Sequence, residues 1–482
     1  MKKILVAVLS ILVFCYSAIT FEKTFGYEWN DHANSVIQTS DGGYLFTGCK
    51  VDSADYKISY FVVTKIDSTG KKEWEKLFTG GMTSSTYNNA GYSVIETTDG
   101  SYVAAGCIEE LNHLIHTVPY VIKLDASGNK LWDYRFGSDG SVNISCNQII
   151  QTVDGGYALT GDNSGIGLII KLDAEGEKVW TNDTSLLFDH INSLVQTEDK
   201  GFTLTGQGGI NDELGIYIVK TDSLGNLQWS EFYSGLFYSA DGYSLKNTPD
   251  NGYIIIGKNQ QNAATDLGWL IKTDENGEKE WDIIIGKQGS ESESSTGRSL
   301  DLTSDGGFIL AGYTENRSTG LADAWLIKTD SEGNELWTRV YGGEGDDRIY
   351  SVQQTLDGGY ILAGYTDSFG AGGKDMWIIK TDENGTEIES PFLPQTTELY
   401  QNYPNPFNPV TSISYALDQA CLVELNVYNL NGQFLRSLLN GKQSRGKHEI
   451  DLNAEDLTSG LYIYTLKVDG KVVQSRKMML LK

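Results

Sequence analysis

The chain has 482 residues, enough for more than one domain, and a formal charge of −27 from 64 acidic and 37 basic residues. The excess lies in residues 21–395, which hold 56 acidic against 26 basic residues, whereas the stretch from Thr396 onward is balanced at 8 and 9. So acidic a region argues against nucleic acid or an anionic membrane as partner, and no later stretch approaches the ~18 consecutive apolar residues of a membrane helix.

Lys2 and Lys3 precede an apolar run over residues 4–14 and small or polar residues at 17–20. This pattern predicts a secretory signal peptide over residues 1–20, cleaved after Ala18 or Thr20. Phe14 stands before Cys15 where a lipoprotein site needs a small residue, so lipidation is not expected. Four cysteines remain, Cys49, Cys107, Cys146 and Cys421, too few and too scattered for a disulfide framework. Cys49 and Cys107 follow the same repeated Gly as Tyr313 and Tyr365, which marks them as packing positions.

One unit then recurs seven times. Its seed is Asp-Gly-Gly-aromatic or a close variant, starting at Asp41, Asp99, Asp154, Asp199, Asp250, Asp305 and Asp357, 45 to 58 residues apart. A short β-branched run precedes each seed and another follows it. A third run ends in Lys-x-Asp, as in FVVTKID and WLIKTD, and Asp-x-x-Gly then makes a turn. Trp follows that Gly by four residues at Trp74, Trp132, Trp180, Trp229, Trp281 and Trp337. Short β-branched and aromatic runs suit strands, and Asp and Gly suit tight turns. Each unit therefore reads as a four-stranded antiparallel sheet, and the array as an all-β, seven-bladed β-propeller over residues 21–389. The seventh copy has Glu389 in place of Trp and lacks a fourth strand, while residues 21–26 resemble fourth-strand endings. The expected closure has those residues supplying the missing strand.

The Asp-x-x-Gly-x-x-x-Trp signature resembles the docking motif of quinoprotein propellers, with one residue fewer between Asp and Gly, and the Asp-box of sialidases, with one more. In both families the motif is scaffolding, which implies that the six Trp residues wedge between blades. The quinoproteins' vicinal cysteine pair is missing, and the sialidase arginine triad has no counterpart that can be assigned.

Five of the seven prolines fall between Pro391 and Pro409, and residues 390–399 read as a stiff extended linker. Residues 400–482 alternate strands with Asn-Gly and Asp-Gly turns, which suggests a small β-sandwich. The block Tyr403, Pro404, Asn405, Pro406, Phe407, Asn408 and Pro409 is followed by Val427, Tyr428, Asn429, Gly432 and Gln433. Ser459, Gly460, Leu461 and Tyr462 come next, then Lys477, Met478 and Lys482. In that order, at the C-terminal end, these blocks resemble the type A sorting domain of the type IX secretion system of Bacteroidetes and related phyla. The resemblance implies an immunoglobulin-like sandwich, export through that machinery, and a secreted or surface-held product.

Propellers bind ligands where loops converge on the central channel. The residue before the Ser-like position of each inner strand forms the series Asn34, Tyr92, Asn147, Asn192, Tyr243, Arg298 and Tyr350, a candidate ligand rim that alternatively caps strand ends and packs between blades. Asp31, Asp189, Asp241, Asp346 and Asp347, with His32 and His190, lie slightly upstream and read as turn hydrogen-bonders. No Asp-x-Asp-x-Asp-Gly calcium loop occurs, so no cofactor is expected, although calcium in such loops stays open. No catalytic constellation stands out. The expectation is a monomeric, noncatalytic binding or adhesion module for a glycan or protein. An extracellular polysaccharide hydrolase or lyase is one alternative, and a structural envelope component is the other.

Overall fold

A computed structural model describes residues 20–386 and 397–482, apart from short stretches at 27–28, 52–58, 81–88, 113, 137–143, 164, 184–187, 212, 236–238, 263–264, 287–292, 317–320, 418–420 and 444–445. Residues 1–19 of the expected signal peptide, Glu389 and most of the expected linker fall outside these residues. Among the described residues the chain is all β, and residues 21–381 form seven four-stranded antiparallel sheets in a propeller-like arrangement.

The first sheet shows the pattern. Its strands His32–Gln38, Tyr44–Val51, Ser59–Ile66 and Lys72–Phe78 pair in chain order from inside outward. The two middle strands are buried on both faces, which is why they read as near-continuous apolar runs, while every residue of the outer strand is exposed or half-buried. The next five sheets, over residues 90–135, 144–183, 190–234, 239–285 and 293–341, repeat it. In the seventh, Arg348–Gln354, Tyr360–Thr366 and Asp375–Thr381 take their outer strand from Phe21–Phe25, which pairs antiparallel with Phe21 opposite Lys380 and Phe25 opposite Met376.

There is no single core in this region. Seven hydrophobic clusters alternate with the seven sheets, one between each neighbouring pair, and the cluster around Phe46, Val62, Ile361 and Ile378 joins the seventh sheet to the first. Each Trp of the repeat seals one junction. Its indole lies against the turn glycine of the next unit, so that a Cβ on Gly128, Gly176, Gly225, Gly277, Gly333 or Gly385 would meet Trp74, Trp132, Trp180, Trp229, Trp281 or Trp337 at 3.0 Å or less. All six glycines also have positive φ, between 68° and 87°. The seventh junction has no Trp. There Phe21 takes the place, 2.9 Å from the Cβ position of Gly70 and 5.6 Å centroid to centroid from Tyr44.

The two ends of the repeat signature are partners. The lysines of Lys-x-Asp, each at most 10% exposed, bridge to the seed aspartates of their own sheets at 2.7–3.1 Å, as Lys65 to Asp41, Lys123 to Asp99, Lys171 to Asp154, Lys220 to Asp199, Lys272 to Asp250, Lys328 to Asp305 and Lys380 to Asp357. A buried ammonium needs such a partner. Burial pushes the Asp41, Asp199, Asp250 and Asp305 carboxyls up, but hydrogen bonds from the lysine, a threonine hydroxyl and a backbone N–H outweigh it and bring each to about 2.

Residues 398–480 form two sheets facing each other. Glu398–Leu399, Val410–Leu417 and Gly446–Asn453 make one; Phe434–Gln443, Cys421–Asn429, Gly460–Val468 and Lys471–Leu480 make the other. Ile413, Tyr415 and Leu452 from the first meet Val423, Leu425, Tyr464 and Met478 from the second in one core.

Two outcomes follow. Phe21→Ala should lower unfolding free energy by about 3–5 kcal/mol, and deletion of residues 21–26 should lower the melting temperature further; unchanged denaturation curves for both would remove the closing role of this strand. The seed aspartates titrate lower folded than unfolded, so the stability they contribute is complete above about pH 4. It should then be lost as pH falls towards about 2, read as a falling melting temperature by circular dichroism.

Candidate functional site

The inner strands of the seven sheets carry the same irregularity at the same place. Each has a β-bulge, and the extra residue is in turn Asn34, Tyr92, Asn147, Asn192, Tyr243, Arg298 and Tyr350. A bulge residue has no partner across the ladder and is turned out of the pleat. Its neighbour across the second strand is a repeated glycine. At Gly48, Gly106, Gly206, Gly257, Gly312 and Gly364 a Cβ would stand 1.8–2.1 Å from the carbonyl oxygen two residues before the bulge. Only glycine lets the bulged strand come this close.

The residue after the bulge ties each inner strand to the next. Ser35 Oγ accepts from the Val94 N–H, Ser93 from Ile149, Ser193 from Leu245, Ser244 from Leu300, Ser299 from Val352 and Ser351 from Val36, at 3.1–3.4 Å. In the third sheet Gln148 Oε1 accepts from Leu194 N–H at 2.7 Å. The chain of bonds passes through all seven sheets and returns to its start.

These fixed strands bring all seven bulge residues to one cavity of about 490 Å3, which Asn30, Asp31, His32, Tyr365 and Lys374 also line. Three of the bulge residues also bond across to the neighbouring sheet. Asn34 and Asn147 donate through Nδ2 to the carbonyls of Gly91 and Ile191 at 2.8 Å, and Asn192 to that of Gly242 at 2.9 Å. They cap the neighbouring bulge while lining the cavity. Arg298 stands between two rings, its guanidinium carbon 4.2 Å from the Tyr243 centroid and 5.2 Å from that of Tyr350. Tyr92 is 36% exposed.

Tyr365 and Lys374, which sequence reasoning missed, belong to the seventh sheet. Lys374 lies 4.1 Å from the Tyr365 ring centroid and donates to Asp346 at 2.7 Å; Tyr365 donates to the same carboxylate at 2.7 Å, and Arg348 does so at 2.8 Å. Lys374 sits between the second and third strands, where the repeats differ in length, so no periodic signal marked it.

Of the upstream Asp and His residues, Asp31 accepts from the Val51 N–H at 2.7 Å, and Asp347 accepts from Gly343 N–H and Ser368 Oγ–H. His190 pairs with Asp241 of the next sheet at 3.1 Å, not with Asp189 beside it in sequence. Burial, then Lys374, brings His32 down to about 4, so it is neutral at neutral pH. Among the described residues no group of three or more His, Cys, Asp or Glu side chains is arranged to hold a metal. Cys49, Cys107, Cys146 and Cys421 are buried and form no disulfide among the described residues.

The C-terminal blocks tie the ends of the sandwich together. Phe407 is buried and bridges the last strand, its N–H donating to Met479 and its carbonyl accepting from Leu481. Asn405 Oδ1 accepts from the Met479 N–H, and the Lys482 N–H donates to Ser459 Oγ. Asn429 Oδ1 accepts from the Asn431 and Gln433 N–H groups around Gly432, whose φ is 76°. Val427, Tyr462 and Met478 are in the core; Tyr403 is 83% exposed, and Pro404, Asn405, Pro406, Asn408 and Lys477 are exposed with it. Tyr428 and Leu461 lie on the strands Cys421–Asn429 and Gly460–Val468, Gly460 opens the latter, and Pro409 is half-buried.

Residues 401–480 match the family described as the secretion system C-terminal sorting domain. No curated protein matches the chain. Three solved structures show the range of likeness. Sqt1 of Chaetomium thermophilum has 12% identity and a TM-score of 0.43, over 71% of this chain and 82% of its own. A protein of unknown function from Dyadobacter fermentans has 12% and 0.42, over 74% and 97%. A puromycin hydrolase S511A mutant has 8% and 0.47, over 81% and 59%. At these scores the likeness says nothing of ligand or activity.

Gly257→Ala should distort the bulge at Tyr243 and destabilise the protein by about 1–3 kcal/mol, read from urea denaturation. Wild-type stability would mean that the bulge does not need its glycine.

Proposed function

We propose that this is an exported binding protein. In this reading residues 21–389 form a seven-bladed β-propeller closed by its N-terminal strand, behind a signal peptide over residues 1–20. A linker over residues 390–399 leads to an immunoglobulin-like sorting domain over residues 400–482. The C-terminal sorting domain supports delivery by the type IX secretion system to the cell surface or the extracellular space. The propeller is a noncatalytic module that holds a glycan or protein at the cavity of its inner strands.

The observation that carries the binding reading is the convergence of the seven bulge residues on one cavity. A repeated structural device that places a different side chain at each of seven equivalent points suits recognition. The chemistry of the lining favours binding over hydrolysis. A glycosidase needs two carboxyl groups across the bond it cleaves; Asp31 is the single carboxylate among the lining residues, and it already accepts from the Val51 N–H.

The test is a glycan array probed with the purified protein, run beside a polysaccharide-hydrolysis panel. Saturable binding without release of reducing ends is the expected result. Depolymerisation of any ligand would replace this reading with the hydrolase or lyase one.

A further inference from the structure

Resting on the reading of the cavity as a ligand site, we propose that its ligand is an acidic saccharide, whose oxyanion is taken by Arg298 and whose hydroxyls are taken by the rim asparagines. The starting point is the state of the charged groups around the cavity. Lys374 is neutralised by Asp346 at 2.7 Å. Asp241 behind the rim is engaged by Asn192 at 2.9 Å and His190 at 3.1 Å, and Asp31 by the Val51 N–H. Arg298 differs from these. Among the described residues no carboxylate lies within 4.0 Å of it and no protein acceptor takes its N–H groups; its guanidinium lies over the rings of Tyr243 and Tyr350, and Asp241 acts on its charge only from beyond ion-pair distance.

A guanidinium has five donors, all around the edge of its plane. Two rings cover faces, which donate nothing, so the donor edge is unspent in a cavity that Arg298 itself lines. A cation fixed this way, in a chain of charge −27 with many carboxylates to spare, is preorganised for an anion from outside. The fork geometry fits a group with two oxygens side by side, as a carboxylate or sulfate has.

The remaining groups select what carries that anion. Asn34 and Asn192 spend Nδ2 on protein acceptors, which leaves Oδ1 of each as an acceptor at the rim. Such an acceptor asks for a donor, and sugar hydroxyls supply donors. Tyr92 adds a partly exposed aromatic surface. The volume of about 490 Å3 lies in the range of small-ligand sites. One oxyanion with several hydroxyls describes a uronic acid or a sulfated sugar.

The test uses the full chain without its signal peptide and isothermal titration calorimetry with three probes: a uronic-acid oligosaccharide, the same oligosaccharide with its carboxyls reduced to alcohols, and a sulfated oligosaccharide of equal length. One of the two acidic probes should bind at least about tenfold more tightly than the neutral one, and which one does so separates carboxylate from sulfate. Arg298→Met should remove that preference, and Arg298→Lys should retain part of it; each variant's melting curve is taken alongside, and the probe comparison on the wild type decides if a variant does not fold. Equal binding of acidic and neutral probes, weakened together by Asn34→Ala, would overturn the anion proposal and leave the cavity reading intact. If no saccharide binds, or an acidic peptide binds instead, both the saccharide assignment and its use of the rim are overturned.

Discussion

Everything in the larger part of this protein depends on closing a ring. A four-stranded sheet buried on both faces has no core of its own; it is stable only between two others. Seven such sheets satisfy the requirement when the seventh meets the first. That junction rests on a five-residue strand whose Phe21 fits over Gly70 and beside Tyr44 in the way an indole does at the other six. Bringing the strand from the other end of the chain also pairs the edge of Asp375–Thr381, which would otherwise be open.

The site is a by-product of the same repetition. Closure fixes the inner strands, the Ser and Gln side chains bind each to the next, and the bulge turns one residue per sheet into the middle. None of these features chooses a ligand. Choice enters through the bulge position itself, where three asparagines, three tyrosines and one arginine stand in equivalent settings. Each asparagine also bonds a carbonyl of the neighbouring sheet through Nδ2.

Much of this was legible in the residues because the repeat states it seven times. The strands, the turn glycines and the Trp wedges follow from period and residue type. The bulge was written there too, in the glycine that ends each second-strand run such as YLFTG and YILAG, but a glycine in a strand has several explanations and only coordinates choose among them. The pairing of seed Asp with the Lys of Lys-x-Asp escaped for a different reason. The two lie 17 to 24 residues apart, and each has a sufficient local account, one as a turn former and the other as a solvated charge; the fold buries the lysine and makes them one unit. Phe21 escaped because its equivalence to Trp exists only in space. Lys374 escaped because its place in the cavity is set by loop path, which has no period, and Tyr365 because its periodic position after the repeated Gly reads as packing.

The strand that closes the ring has a further meaning for how the chain comes to be folded. Glu22 and Trp377 share a hydrogen bond although 355 residues separate them. During synthesis the N-terminal strand has no partner until nearly all of the repeats exist, and a contact at such sequence distance is the last that chain entropy permits. Individual sheets can form early from local hairpins, but the assembly stays an open arc with two exposed ends. The step that makes the structure durable is reserved for a chain that is complete.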